Sequence, residues 1–419
     1  MDFIFRLALK NLTRHRLRTF VSITAVAVCV MVVVFTRGLV EGMVNSMIRD
    51  HIYYNSGHVK VVDRHYYEQE RLLPLNHPVD GFSRKSLDEM TADLEGIDGV
   101  EMVLPRLKFG AMVSTESELV TMTGWGVDID KELKFTSIER YLVEGRMPSP
   151  GKLEVVMGTK LLEKISRGVG DKVTIVFNTA FGSFRGVTFT IVGRLHSGVQ
   201  LLNEHVVLLP LDEAQRLLYM DGQVTELIVA AEDLGSVPQV LASIEALIAE
   251  RGEAERYQAI SYRDTSDLIA WLDVGKIVYN CIYVFLILLA CIVVNNTMLM
   301  IVQERTKEIG TMAALGLERK GILQMFLAEG GIMGIIGSLI GAGLGAGLTA
   351  YLARVGLDFT ADLEGLSADV VFDAVVYPES SWTNTLFAFA LGVMIVAVSC
   401  LIPARRAAKL EPSVAMRDE

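Results

Sequence analysis

The side chains with the reactivity for catalysis are scattered along this chain. His51, His58, His65, His77, His196 and His205 form no metal-spaced helix motif and read as surface or hydrogen-bonded histidines. No G-x-S-x-G pattern presents a nucleophilic serine. The nearest approach to a phosphate loop is GRMPSPGKL, residues 145–153. It is one residue too long, contains two prolines, and has Leu153 where Ser or Thr should hold magnesium. It reads as a turn before a strand. The four cysteines, Cys29, Cys281, Cys291 and Cys400, make no metal-ligand pair. The expectation is a non-enzymatic chain with no catalytic residue, cofactor or metal of its own. If ATP is used, another chain binds it together with its magnesium.

Charge is concentrated in QERTKEIGTMAALGLERKG, residues 303–321. Glu304 and Lys307 are i,i+3 neighbours, which supports a short helix slightly. Good helix formers lead to a stop at Gly316. Ile309, Met312, Ala313 and Leu315 leave an apolar side, while Arg305 and Glu308 face elsewhere. A short helix offering both an apolar side and charges is a docking element. Ile309 and Met312 are expected to pack into a partner's groove, with Arg305 and Glu308 making charge-assisted contacts at its rim.

What must position this stretch is a membrane. The chain has 419 residues and is 51% hydrophobic, too apolar for an ordinary soluble protein of that length. Apolar helices are expected at 20–44, 271–302, 322–354 and 384–402. The first follows the basic lead RHRLR but lacks a small-x-small cleavage site, so it reads as a retained anchor. Lysine and arginine set the orientation. Arg6, Lys10, Arg14, Arg16 and Arg18 precede the first span, Arg305, Lys307, Arg319 and Lys320 lie between the second and third, and Arg405, Arg406, Lys409 and Arg417 follow the fourth. The gap GLDFTADLEGLSADVVFDAVVYPESS has no Lys or Arg and six acidic residues. The amphipathic N-terminal helix (1–19), the 303–321 segment and the tail (403–419) are therefore expected in the cytoplasm. Residues 45–270 and the short loop 355–383 are expected outside. A net charge of −11 disfavours a nucleic-acid partner.

Residues 45–270 mix strand and helix signals. GHVKVVD, LEVVMG, DKVTIVF, GVTFTIVGRL, HVVLLPL and VTELIVAA read as strands. SRKSLDEMTADLEG, GTKLLEKISRG and SVPQVLASIEALIAERG read as helices, with Ser83 and Ser236 as N-caps. The fold class is thus an α-helical membrane protein with four transmembrane helices. A large α+β extracytoplasmic domain is inserted between helices 1 and 2. The inserted segment contains no cysteine and must be held by its core.

The third span, EGGIMGIIGSLIGAGLGAGL, is dense in glycine. Gly330, Gly334, Gly337, Gly341 and Gly345 recur at i+3 or i+4 and share one helix face. Such a stripe lets another helix come close, either a sibling in the same chain or one from a second subunit. The expectation is a helix-packing and dimer interface.

NNTMLMIVQERTKEIGTMAALG, followed by FLAEGGIMGIIG, resembles the FtsX-like permease domain of ABC transporters. The family pattern is met at Asn295 or Asn296, Glu304, Arg305, Glu308, Ile309, Gly310, Ala314, Gly316, Phe326 and Glu329. The tail PARRAAKLEPSVAMR is similar to the family's ending. The segment from GHVKVVD to VVLLPLDEAQRLL resembles the periplasmic domain shared by MacB-type exporters and lipoprotein-releasing Lol permeases. The resemblance implies an inner-membrane permease subunit that pairs with a second permease copy or paralogue, sits among membrane lipids, and is driven by a separate ABC ATPase dimer. Residues 304–316 would be the coupling helix in an ATPase groove. ATP hydrolysis would then move the outside domains mechanically. Because the chain begins at DFIFRLALKNLTRHRLRTF, the plan is closest to the lipoprotein-releasing permeases, with a lipoprotein substrate and a periplasmic carrier or adaptor outside. Efflux, or mechanical activation of a cell-wall hydrolase, are the other functions the resemblance leaves open.

Overall fold

The computed structural model describes residues 16–83, 85–114, 119–197, 199–358 and 375–409. Most of the expected helix at 1–19, most of the 355–383 loop and the end of the tail lie outside these residues. The chain divides into two compact units. One comprises residues 1–44, 272–357 and 376–419, and the other residues 45–271 and 358–375. The first long helix, α1 (Arg16–His51), ends in a π-helical turn (Ile52–Ser56).

The second unit is built on ten strands: β1 (Val59–Asp63), β2 (Val100–Ser114), β3 (Leu119–Val127), β4 (Leu142–Gly145), β5 (Glu154–Gly158), β6 (Lys172–Asn178), β7 (Phe184–Leu195), β8 (Val206–Pro210), β9 (Glu226–Ala231) and β10 (Tyr257–Ser261). Six of them close a circuit of hydrogen-bonded neighbours, β2-β3-β8-β5-β7-β6 and back to β2. The circuit encloses Leu107, Phe109, Ala111 and Val113 of β2 together with Val173, Ile175 and Phe177 of β6. In both strands these are alternate residues, the period that puts one set on one face. Gly124 lacks a side chain because the Phe109 ring lies across its position. The other half of β2 runs in an open sheet of order β10-β1-β9-β2.

Helices cover these strands: α2 (Arg64–Glu68), α3 (Leu87–Glu95), α4 (Ile129–Thr136), α5 (Thr159–Lys164), α6 (Gln200–Glu204), α7 (Leu211–Leu218) and α8 (Val237–Glu250). The cap of α3 is Ser86 and not the expected Ser83. Ser86 and Glu89 form a reciprocal capping box, two orphan N–H groups satisfied at once. Ser83 instead donates to the Glu253 carboxylate through its backbone N–H (2.8 Å) and its hydroxyl. Ser236 precedes α8, but its hydroxyl donates to the Asp233 carbonyl and caps nothing.

Behind β2 lies a buried charge cluster. Glu226 sits 2.8 Å from Lys108 Nζ and 3.4 Å from Lys60 Nζ, while Lys60 also reaches Glu70 at 2.6 Å. Burial opposes the charge on Glu226. The two ammonium groups outweigh it, and they hold the carboxyl down to about 2. Burial likewise pushes Lys108 below the ordinary lysine range, and neighbouring Lys60 adds to the shift. Arg106, fully buried, pairs with Glu132 at 2.7 Å and donates to the Tyr53 carbonyl at 2.8 Å.

Among the described residues, the first unit holds most of α9 (Asp267–Glu304) together with α10 (Thr306–Ala314), α11 (Arg319–Val355), α12 (Trp382–Ser399) and α13 (Leu401–Ala408). Four helical runs are long and apolar enough to cross a membrane, 19–56, 269–304, 319–355 and 382–408. Their shared core gathers Val26, Val30, Met298, Ile301, Phe326, Met333, Val396 and Ala404. Helix α9 joins it mainly by its last turns, leaving Ile277, Ile282, Phe285 and Ile292 exposed.

Candidate functional site

The 303–321 segment is built around one break. Helix α9 stops at Glu304, because Arg305 leaves helical geometry (φ −100°, ψ 14°) and α10 restarts at Thr306. The second stop is Gly316, whose φ of +96° suits a residue without Cβ. Helix α11 then begins at Arg319. Two tight stops leave α10 as a short helix held at both ends.

Arg305 is the residue that holds it. Expected at an exposed rim, this arginine is buried. Its Nε donates to Glu308 Oε2 at 2.9 Å, and its Nη1 lies 3.7 Å from Glu329 Oε2 on α11. Glu329 is buried as well. One guanidinium thus stands at the end of α9, hydrogen-bonds the first turn of α10 and faces a buried carboxylate on α11 as an ion pair. The E-R-x-x-E and F-x-x-E elements of the family pattern meet here. Local spacing reveals only the Arg305–Glu308 half. Nothing in the sequence links position 305 to position 329 without the fold.

A second correction concerns the docking side. Ile309, expected in a partner's groove, is 0% exposed and packs within the chain's own helical core, with Met312 and Ala313 half-buried against it. Gly310 is buried on the same side. The outward face of the segment carries Glu304, Lys307, Thr311, Ala314, Leu315 and Gly316. Leu315 is the apolar tip of this face, at 84% exposure. The helical apolar pattern is present, but one side of this 9-residue helix serves the chain itself.

The glycine stripe is likewise taken up inside the chain. A Cβ at Gly330 would meet the Cys400 side chain, and one at Gly334 would stand 2.9 Å from Val396 Cβ. Positions 337, 341 and 345 face α1. Added Cβ atoms there would lie 2.9 Å from Val26 Cβ, 2.9 Å from Val30 Cβ and 2.8 Å from Val34 Cβ. The five glycines therefore serve the expected helix packing inside the chain, of α11 against α1, α12 and α13. With no hydrophobic force between helices in lipid, close backbone approach supplies the attraction. Gly343 and Gly347, by contrast, face open space.

Comparison with known proteins places this joint in a family. The FtsX-like permease C-terminal domain matches residues 280–412, and the MacB-like periplasmic core domain matches residues 19–247. The lipoprotein-releasing system transmembrane protein LolC of Neisseria meningitidis is 22% identical over 339 residues, 78% of this chain and 80% of LolC. The macrolide export ATP-binding/permease protein MacB of Nitrobacter winogradskyi is 25% identical over 425 aligned positions, 98% of this chain and 59% of MacB. Among solved structures, the periplasmic region of MacB from Actinobacillus actinomycetemcomitans aligns with 49% of this chain and 90% of its own at 11% identity and a TM-score of 0.34. Since the core-domain match spans more than half of its residues and the permease match takes in the Arg305 joint, the chain belongs to the FtsX-like, MacB-like permease family of ABC transporters.

Proposed function

We propose that this permease converts ATP hydrolysis on a separate ATPase dimer into movement of its periplasmic domain, releasing lipoproteins from the inner membrane. The ATPase carries the ATP and magnesium. The 304–316 segment and both termini lie in the cytoplasm. The strand-rich domain, inserted after the first membrane helix, works outside with a second permease copy or paralogue beside it. The supporting observation is the buried Arg305 joint. A push on the exposed face of α10 reaches α9 and α11 together, because the Arg305 charge is bonded to Glu308 and paired with Glu329. Phe181 and Phe184, 80% and 72% exposed at the β6–β7 turn, offer apolar surface to an amphipathic cargo or its carrier. Lipoprotein release is favoured over macrolide export because the LolC relative is matched over most of both chains.

The test separates docking from folding. Leu315→Asp changes only the exposed tip, so the chain should keep its thermal midpoint while ATPase co-purification falls at least about ten-fold, as for loss of an interface anchor. Ile309→Asp buries a charge in the chain's own core and should lower the midpoint itself. Full ATPase retention by Leu315→Asp would remove the segment from the coupling role. Lipoprotein-stimulated hydrolysis, measured against macrolide-stimulated hydrolysis on the same complex, decides the cargo.

A further inference from the structure

Two histidines that look unrelated in the sequence meet beside one carboxylate in the strand-rich unit. His65 Nδ1 lies 3.6 Å and His77 Nδ1 4.0 Å from Asp63 Oδ1. The two imidazoles stack, with ring centroids 5.2 Å apart and planes 22° from parallel. One donor atom from each of the three residues falls within 4.8 Å of the other two. Neither histidine is pulled into this place by burial, since His65 is exposed and His77 half-buried.

We propose that Asp63, His65 and His77 form a binding site for a borderline divalent transition metal, with zinc as the representative ion. Two imidazoles and a carboxylate gathered within 4.8 Å of one another offer three ligand atoms to a single cation. Two imidazole nitrogens and one carboxylate oxygen are the donor set that zinc favours, and a fourth position is left open to solvent. Donors about 2.0–2.1 Å from a tetrahedral ion stand about 3.3 Å apart. The Asp63–His65 and Asp63–His77 separations are within an ångström of that, and the stacked imidazoles must turn apart to aim both nitrogens at one ion.

The surroundings hold the ligands as an outer layer around a metal does. Asp63 ends β1 and caps α2, its Oδ1 accepting from the backbone N–H of His65 at 2.9 Å and of Tyr66 at 3.4 Å. Its Oδ2 faces Arg256 Nε at 3.8 Å, and that guanidinium is itself paired with Asp80 at 2.7 Å. Arg256 thus orients the carboxylate through the oxygen turned away from the histidines. His77 Nε2 sits 3.2 Å from Asn76 Nδ2; turning that amide over, to present its oxygen to Nε2–H, frees the Nδ1 lone pair that faces the carboxylate.

The site would act as a clip. Residues 69–78 run from α2 through a single 3-10 turn, with Leu73 in left-handed geometry (φ 48°), to the isolated bridge between Val79 and Val224. A domain without cysteine has no disulfide to fasten such a segment. A metal joining positions 63, 65 and 77 closes this loop onto the end of β1 and supplies the constraint.

The experiment uses the full chain in detergent with zinc as the probe. Equilibrium titration should show one saturable zinc per chain, weakened about ten-fold or more by His65→Ala and by His77→Ala. His196→Ala, an exposed histidine elsewhere on the same unit, should leave it unchanged. Zinc should also slow tryptic cleavage after the exposed Arg71 several-fold in the wild-type chain but not in His77→Ala. No saturable binding overturns the site, as does binding that both cluster variants leave intact. A cleavage rate indifferent to bound zinc overturns the clip.

Discussion

Gly341 and Gly343 lie two residues apart on α11, and alanine at either adds the same methyl group. Replacing glycine in a helix by alanine gains about 0.5–1 kcal/mol from restricted backbone freedom, and that gain is common to both sites. The surroundings differ. At Gly343 the new Cβ meets nothing within 4 Å. At Gly341 it stands 2.9 Å from both Ala27 Cα and Val30 Cβ and closer still to the Ala27 carbonyl oxygen. Carbon pairs rest at about 3.5–4.0 Å, so α1 must retreat by more than half an ångström from a backbone contact that no side-chain rotation relieves. Such overpacking costs about 1–3 kcal/mol. Because the propensity gain cancels between the variants, this is also the expected difference between them. Thermal unfolding in detergent should place Gly341→Ala below Gly343→Ala by at least about 2 °C, with self-association unchanged in both. Equal midpoints would refute the seating of α1 on the stripe. Lowered self-association at an unaltered midpoint in Gly341→Ala would return the stripe to a second subunit.

Two further outcomes follow from the buried charges. Removing one partner of a buried ion pair costs about 3–5 kcal/mol, and the 3.7 Å spacing with Glu308 as a second partner brings Glu329→Leu nearer about 1–3. A double-mutant cycle with Arg305→Met should show coupling of about 1 kcal/mol or more, and strictly additive midpoints would dissolve the proposed joint. Glu226 has its carboxyl held near 2, below the ordinary value of 4.5, so it contributes stability above pH 4.5 that is lost as pH falls toward 2. Glu226→Gln should therefore be less stable at neutral pH, yet lose less between pH 5 and pH 2. Parallel pH profiles for the two chains would contradict this.

The legible part of the fold is the part with a simple period. Four apolar runs match the membrane helices, the alternating run at 172–178 is a strand, and so are the short continuous apolar runs at 59–63 and 226–231. The longest strand, β2, was missed along with β3. Pro105, Arg106, Lys108 and Gly110 give it the look of a loop, and the charges are paid for only by Glu132 and Glu226, far along the chain. At the candidate site the motif residues were visible as a set, while their directions were not. Ile309 and Leu315 are both apolar on a short helix, and only the packing of α11 and α13 determines which one the chain keeps for itself. His65 and His77 belong to no metal-spaced helix motif, and only the fold brings them together beside Asp63.

Strand β2 belongs to both halves of the strand-rich unit, its first residues in the open sheet and its later ones in the closed circuit. Nine consecutive residues, Arg106 to Ser114, lie opposite β3 in unbroken register. A pull directed along β2 loads those bonds sideways, so they share the tension and must give way together. A pull across the strand would open them one at a time. Each bond is worth only about 0.5–1.5 kcal/mol net, but shared loading makes the strand a tie rod running through both halves. A unit fastened this way transmits tension along that axis as a single rigid piece.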